Sequence, residues 1–175
     1  PPLASGEERT ARLELFEGRS WKPAAGSAID DDAFTARFRV EPFRRTRDVP
    51  YRIVFQGRTV WEGVVRAEPQ GREFVLAALT CNKVYTGDLH WNGKGVWQPH
   101  AAIVQGLKGH APDLVAFTGD QIYEGDLTPA RRQPEDEAFL DYLYKWNRFL
   151  WAFGDLVRDV PSITIPDDHD VYHGN

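Results

Sequence analysis

Three short polar segments of this chain carry side chains that bind metal ions in many proteins. They are residues 81–82 (Cys-Asn), 119–123 (Gly-Asp-Gln-Ile-Tyr) and 167–170 (Asp-Asp-His-Asp). In the third segment the carboxylates repel one another unless a cation or a proton lies among them. This segment therefore indicates a metal site, and the alternative interpretation is a solvent-exposed acidic turn.

The segment 119–123 combines a carboxylate with a phenol. Gly119 allows the backbone to turn sharply where a strand ends, so that Asp120 points out of the sheet and Tyr123 returns to the same side. Together the two groups suit a hard, highly charged cation such as ferric iron. The alternative is that Asp120 caps a helix and Tyr123 packs beside it.

Two roles are open to each of the remaining candidates. Cys81 as a thiolate would add negative charge to hold a trivalent metal, whereas an isolated cysteine is otherwise a small buried hydrophobe. His169 is either a metal ligand or a general acid. Asn82 offers an amide oxygen to metal or substrate, or it is a turn residue. Other histidines, among them His100, are predicted to lie on the surface.

The three segments each follow a predicted β-strand. Apolar runs at 74–80, 114–118 and 162–165 predict strands that are buried on both faces. Residues 98–108 and 135–157 predict helices. In the longer one, apolar residues recur at spacings of three and four: Phe139, Leu140, Leu143, Trp146, Phe149, Leu150 and Phe153. Strands that alternate with helices predict a mainly parallel sheet. Because the carboxyl ends of such strands meet at one edge, we expect the polar segments to converge there.

The first 70 residues predict β structure of another kind. Apolar and polar residues alternate over 34–40, 51–55 and 59–65, as in half-buried strands. The last two runs are joined by Gln56-Gly57-Arg58 and predict a hairpin. We therefore expect part of a small antiparallel β-sandwich over residues 1–70, followed by a second domain over residues 71–175.

Composition narrows the functional classes. The 175 residues have a net charge of −5 and scattered basic residues, which gives no indication of nucleic-acid binding. A single cysteine excludes an internal disulfide. No apolar run is long enough to cross a bilayer, and no signal peptide is visible. The sequence contains no Met and stops within what reads as a site loop, so we expect it to be part of a longer chain.

Taken in order, the three segments resemble the PhoD-like alkaline phosphatases, a branch of the calcineurin-like metallophosphoesterases. The resemblance rests on residues 80–82 (Thr-Cys-Asn), 117–124 (Phe-Thr-Gly-Asp-Gln-Ile-Tyr-Glu) and 166–170 (Pro-Asp-Asp-His-Asp). Residues 61–69 are similar to the end of the β-sandwich that precedes the family's catalytic domain. The implied fold class is α/β (α+β): part of a metallophosphoesterase catalytic domain, preceded by a small antiparallel β-sandwich.

A site with two or more metal ions follows from this resemblance, often iron together with calcium or another divalent metal. In the family one carboxylate bridges the metals, and here that position is Asp120. The wider superfamily has an Asn ligand at the position of Asp168. The matching positions are Cys81, Asp120 and Tyr123 as iron ligands, Asp168 as a further metal ligand, His169 as the catalytic histidine, and Asn82 and Asp167 in support.

The implied reaction is hydrolysis of a small phosphate mono- or diester by a hydroxide that the metals activate. Two alternatives stay open: a non-catalytic module that binds metal or uses the β-sandwich for binding, and a hydrolase of another ester such as a sulfate. Pro166 stands where the family often has Trp, which implies a different substrate pocket. The family's C-terminal histidine motifs are expected beyond residue 175, and its members are commonly exported, which implies a periplasmic or extracellular location. Natural substrate and oligomeric state are not specified by the sequence.

Overall fold

Four antiparallel strands form a sheet in the first part of the chain. The computed structural model describes residues 5–43, 46–83, 100–126 and 128–171, and its internal contacts divide the chain into two units, Pro1–Gln70 and Gly71–Asn175. The strands of the first unit are β1 (Thr10–Glu17), β2 (Ser20–Ala28), β3 (Val49–Phe55) and β4 (Arg58–Val65). They lie in the order β2-β1-β3-β4, and every neighbouring pair is antiparallel.

The predicted hairpin is confirmed. β3 and β4 pair from Val49↔Val65 to Phe55↔Arg58, and the two residues between them, Gln56 and Gly57, both have positive φ. Positive φ at both central positions is the geometry of the tight turns that match the twist of a hairpin. A second hairpin, β1 with β2, turns at Gly18 (φ 68°) and was not predicted.

The strand predicted at 34–40 is wrong. These residues lie outside the regular strands of the structure. They follow a turn in which Asp30 Oδ1 accepts hydrogen bonds from the backbone N–H groups of Asp32 and Ala33, and Phe34 has a φ of 53°. A left-handed backbone at Phe34 cannot continue an extended strand. Antiparallel pairing is confirmed for this unit, but within residues 5–43 and 46–70 there is one sheet and no second sheet of a sandwich.

The described residues of the second unit form three parallel strands and two α-helices, as predicted. The strands β5 (Leu76–Leu79), β6 (Leu114–Phe117) and β7 (Ser162–Thr164) lie in the order β5-β6-β7, and both pairs are parallel. Helix α1 (His100–Gly109) connects the first two strands, and helix α2 (Glu135–Val157) connects the last two. Residues 98–99 of the predicted first helix lie outside the described residues. The described helices include none that is long and apolar enough to cross a membrane.

Burial on both strand faces is confirmed only for the central strand. In β6, Val115, Ala116 and Phe117 are all buried. In the flanking strands, Leu76 is 56% exposed and Ile163 is 49% exposed. The reason is that the hydrophobic core lies on one face of the sheet, where Val115 and Phe117 pack against helix residues. The register places Leu76 and Ile163 on the opposite face.

Helix α2 has the predicted bounds but buries a partly different face. Its first turn holds Glu135, Asp136 and Glu137, which interact favourably with the positive end of the helix dipole. Phe149 and Phe153 are buried as expected, and their rings contact Phe117 with centroids 5.0 and 5.2 Å away. The whole buried set is Ala138, Tyr142, Lys145, Phe149, Phe153, Gly154 and Leu156, whereas Phe139, Leu140 and Leu150 are exposed.

Candidate metal centre

The carboxyl ends of the three parallel strands deliver the three polar segments to one edge of the sheet. β5 leads into Cys81, β6 into Asp120, and β7 into a short 3-10 helix at Asp168–Asp170. Two backbone hydrogen bonds join the first two segments, from Cys81 N–H to Gly119 O (3.1 Å) and from Asn82 N–H to Asp120 O (2.9 Å). The ladder of the sheet is thereby extended to the residues that carry the chemistry.

Asp120 is the centre of this group of side chains. Its Oδ2 accepts a hydrogen bond from the Tyr123 hydroxyl at 2.9 Å, and Cys81 Sγ lies 3.7 Å from the same oxygen. Asp120, Asp168 and His169 each place one potential ligand atom within 4.8 Å of the others. The structure thus brings together all five residues proposed as metal ligands or catalytic residue.

Two features of Asp120 are typical of a site built to hold a cation. Its second oxygen, Oδ1, is buried and accepts no hydrogen bond from the described residues, although a buried carboxylate oxygen without a partner is costly. Asp120 and Cys81 also have φ values of 53° and 55°. Backbone strain of this kind concentrates at functional sites, where the surrounding structure imposes it.

The Tyr123 hydroxyl donates a hydrogen bond to Asp120 Oδ2 in this arrangement. Burial, together with its hydrogen bonds to Cys81 and Asp120, raises the pKa of the Tyr123 phenol above its ordinary value. The raised pKa favours the phenol form, which keeps its proton and donates it in the hydrogen bond to the Asp120 carboxylate. To bind as a phenolate, Tyr123 would need a cation strong enough to displace that proton.

His169 is held by contacts on several sides. Its Nδ1 lies 2.6 Å from Glu124 Oε2, and its backbone carbonyl accepts a hydrogen bond from the Tyr142 hydroxyl at 2.7 Å. The imidazole also packs on the ring of Tyr123, with centroids 4.5 Å apart. The hydrogen bond to Glu124 is the main cause that raises the pKa of His169 above its usual range.

The acidic segment divides into residues that build the turn and residues that face the other segments. Asp167 accepts the backbone N–H of Asp168 at 2.9 Å, and Asp170 Oδ2 accepts the backbone N–H of Asp167 at 2.9 Å. Asp170 is buried, and its Oδ1 also accepts the N–H groups of Gln121 (2.8 Å) and Ile122 (3.2 Å). Backbone donors therefore compensate the charge of Asp170, which was expected to need a cation or a proton.

The segment after β6 contacts the segment after β7 at Gly119, a position that only glycine can occupy without strain. Gly119 has a φ of 122°, and a Cβ at this position would lie 2.8 Å from the Cβ of Asp167. Both the backbone conformation and the close approach exclude a larger residue without displacement of the turn. Asp167, predicted in a supporting role, therefore caps the 3-10 helix and packs on the glycine before Asp120.

Replacing Asp170 with alanine should strongly destabilise the protein. Three backbone N–H groups would lose their acceptor, at about 1–3 kcal/mol for each buried donor, so we expect a loss of roughly 3 kcal/mol or more in the free energy of unfolding. Urea denaturation measures it. The matched control is Asp155→Ala, whose exposed ion pair with Arg158 should be worth less than about 1 kcal/mol. Equal effects of the two substitutions would contradict this role for Asp170.

Asn82 follows Cys81 at the end of β5, and its backbone N–H donates a hydrogen bond to Asp120 O. It lines a small cavity together with His100, Gln121 and Tyr123, and its Nδ2 is buried without a hydrogen-bond partner in the described residues. The prediction that His100 lies on the surface is wrong. His100 is the first residue of α1, its side chain is buried against Phe153, and burial lowers its pKa.

Sequence reasoning missed several residues that shape the site. Glu124 belongs to the quoted motif but received no role, and Tyr142 and Lys145 were part of a helical pattern without a function. Lys83 Nζ lies 4.7 Å from the centroid of the Tyr123 ring, which brings a positive charge beside the site. Two signals could have indicated Glu124 and Lys145: a carboxylate at the end of the motif 117–124, and a lysine within the buried face of a helix.

The side chains present fit a bound metal. Carboxylates, a thiol, a phenol and an imidazole are ligand types for transition metals and for hard cations. Asp120 Oδ1 is buried and has no hydrogen-bond partner among the described residues, so a cation here would replace a missing hydrogen-bond donor. Asp120 and the nearby Cys81, Tyr123 and Asp168 would be the residues to hold such a metal.

Comparison with solved structures shows which known fold the chain resembles. The chain is similar to a structure described as "Structure of PhoD", with a TM-score of 0.63 and 14% sequence identity over 97% of this chain. The match spans 34% of that protein, so the chain corresponds to about a third of its length. No protein-family model matches the chain, and no curated protein matches it in sequence. The described residues form one antiparallel and one parallel sheet with helices, and this mixed α/β fold is PhoD-like.

Proposed function

We propose that this chain contributes part of the active site of a metal-dependent phosphoesterase that hydrolyses small phosphate mono- or diesters. The observation that carries the proposal is the convergence of Cys81, Tyr123 and one oxygen of Asp120 beside Asp168 and His169. These groups come from the ends of three parallel strands, where α/β proteins bind their ligands. The PhoD-like fold supports the same class.

Each side chain has a part in this proposal that follows from its chemistry. Bound metals would neutralise charge on the phosphoryl group and lower the pKa of a water molecule. Asp120, Cys81, Tyr123 and Asp168 would hold them. His169, fixed beside these ligands, would protonate or stabilise the leaving oxygen.

The test is hydrolysis by the full-length protein of an aryl phosphate and of the matching aryl sulfate, before and after removal of metal with a chelator. We expect turnover of the phosphate, loss of turnover with the chelator, and recovery when metal is added back. Preference for the sulfate would instead indicate a sulfatase. Stoichiometric metal without turnover of either ester would indicate a binding module, and both results would overturn the proposal.

We further propose that one metal is iron, with calcium or another divalent metal beside it. Full-length protein purified without chelators should then contain stoichiometric iron by elemental analysis and show a charge-transfer absorption band from the Tyr123 phenolate or the Cys81 thiolate. Tyr123→Phe should remove or shift a phenolate band, because the ligand oxygen is gone. The matched control is Tyr144→Phe, an exposed tyrosine of α2, which should leave the spectrum unchanged. Absence of any transition metal would contradict this ligand set.

A further inference from the structure

Glu124 is joined to His169 by the contact that most directly fixes the imidazole. Glu124 Oε2 and His169 Nδ1 are 2.6 Å apart, although the residues are 45 positions apart in the sequence. The Glu124 side chain is 15% exposed and the His169 side chain 28% exposed. A contact this short and this shielded from water holds both groups in a defined orientation.

Glu124 is itself anchored from behind by a buried ion pair. Lys145 Nζ donates a hydrogen bond to the Glu124 backbone carbonyl and forms an ion pair with Asp141, and both of these side chains are buried. Thr128 donates its hydroxyl to the other oxygen of Asp141. The loop after β6 is therefore tied to helix α2 at the residue that holds His169.

A fixed Nδ1 determines what the rest of the imidazole can do. When Nδ1–H donates to a carboxylate, the tautomer and the ring orientation are set, and the chemistry is left to Nε2. The Tyr123 ring on one face and the Tyr142 hydrogen bond to the backbone restrict the remaining movement. Nothing in this arrangement needs the Glu124 carboxylate to touch a metal, since the carboxylates in the candidate cluster are those of Asp120 and Asp168.

We infer that Glu124 is a positioning residue, which acts on the reaction through His169 by holding Nδ1 and presenting Nε2 toward the leaving oxygen of the substrate. The inference rests on the proposed phosphoesterase function. It adds a residue outside the predicted ligand set and assigns to Lys145 and Asp141 the support of that residue.

A double-mutant cycle with Glu124→Ala, His169→Ala and the double variant tests the inference in the full-length protein. Glu124→Ala should lower kcat by roughly 10–100-fold, the usual effect of losing a partner that orients a functional side chain, with KM and metal content little changed. In the His169→Ala background the same substitution should change kcat by less than about twofold, because residues that act as a unit are not additive. Equal losses in both backgrounds, or loss of metal from Glu124→Ala, would overturn it.

Two further variants control for folding. Glu124→Gln keeps the volume of the side chain and removes its charge, so it should show the same coupling to His169 with a smaller loss. Glu135→Ala removes an exposed glutamate from the first turn of α2 and should leave kcat unchanged. If Glu124→Gln lowers kcat equally with and without His169, Glu124 does not act through the imidazole.

A measurement that does not depend on catalytic activity tests this inference independently of the proposed function. In nitrogen-15 NMR spectra of the metal-free full-length protein, His169 should carry its proton on Nδ1, and Glu124→Ala should abolish that signal or shift it strongly. Unchanged His169 signals would overturn the inference even in an active enzyme. The two results can also diverge. If the protein hydrolyses no phosphate ester but its NMR spectra show the expected change, the proposed function is wrong and the Glu124–His169 hydrogen bond still stands.

Discussion

Metal content and hydrolysis should be lost together when Asp120 is replaced by asparagine. The Tyr123 hydroxyl and the Cys81 sulfur both contact Asp120, and an amide at this position cannot supply the negative charge with which the carboxylate would hold the proposed metals. Metal ions contribute several kcal/mol to a charged transition state. Since about 1.4 kcal/mol corresponds to a tenfold change in rate, we expect a loss of roughly 10³-fold or more.

Elemental analysis and kinetics on the same preparations of Asp120→Asn measure this effect. Asp155→Asn, an exposed aspartate of α2, is the matched control and should keep both metal and rate. If Asp120→Asn retains the turnover of the wild type, Asp120 caps the loop after β6 and the reaction takes place elsewhere.

Replacing His169 with alanine should separate chemistry from metal binding. Cys81, Asp120, Tyr123 and Asp168 remain, so most of the metal should be retained. The rate should fall by roughly 10²–10⁴-fold, the usual contribution of a positioned general acid. An alkyl phosphate should lose more than a nitrophenyl phosphate, because an alkoxide leaves poorly without a proton whereas nitrophenolate leaves unaided.

The comparison of the two substrates decides the role of His169. The matched control for His169→Ala is His110→Ala. It removes an exposed histidine that follows α1 and should leave the rate of hydrolysis of both substrates unchanged. Equal losses on both esters, together with loss of metal, would show that His169 is a ligand instead of a proton donor.

The elements of the second unit were predictable because each had a local signal. Apolar runs of a few residues gave the three parallel strands, and α2 combined helical spacing with an acidic first turn. The same kind of signal failed at 34–40, because alternation does not show whether a partner strand is available for pairing. It also failed for burial of the outer strands, since exposure depends on what covers the sheet and not on the strand itself.

Convergence of the polar segments was predictable from topology alone, since parallel strands end at one edge. The roles within the segments were not. Whether Asp168 or Asp170 faces Asp120 depends on side-chain directions in a short 3-10 helix, which the sequence pattern does not contain. The pairing of Glu124 with His169 depends on how two distant loops meet, and it required the three-dimensional structure.

The hydrogen bonds of Asp170 and Asp167 have an evolutionary consequence. These two residues fasten the turn after β7 through backbone donors, while the adjacent Asp168 contributes to the cluster with Asp120 and His169. The residues that stabilise the turn and the residue that would take part in the proposed chemistry are therefore different positions of one tetrapeptide. A substitution of the side chain at position 168 would leave these turn-forming hydrogen bonds intact, so that under the proposed function the metal preference could change over evolution without loss of the loop.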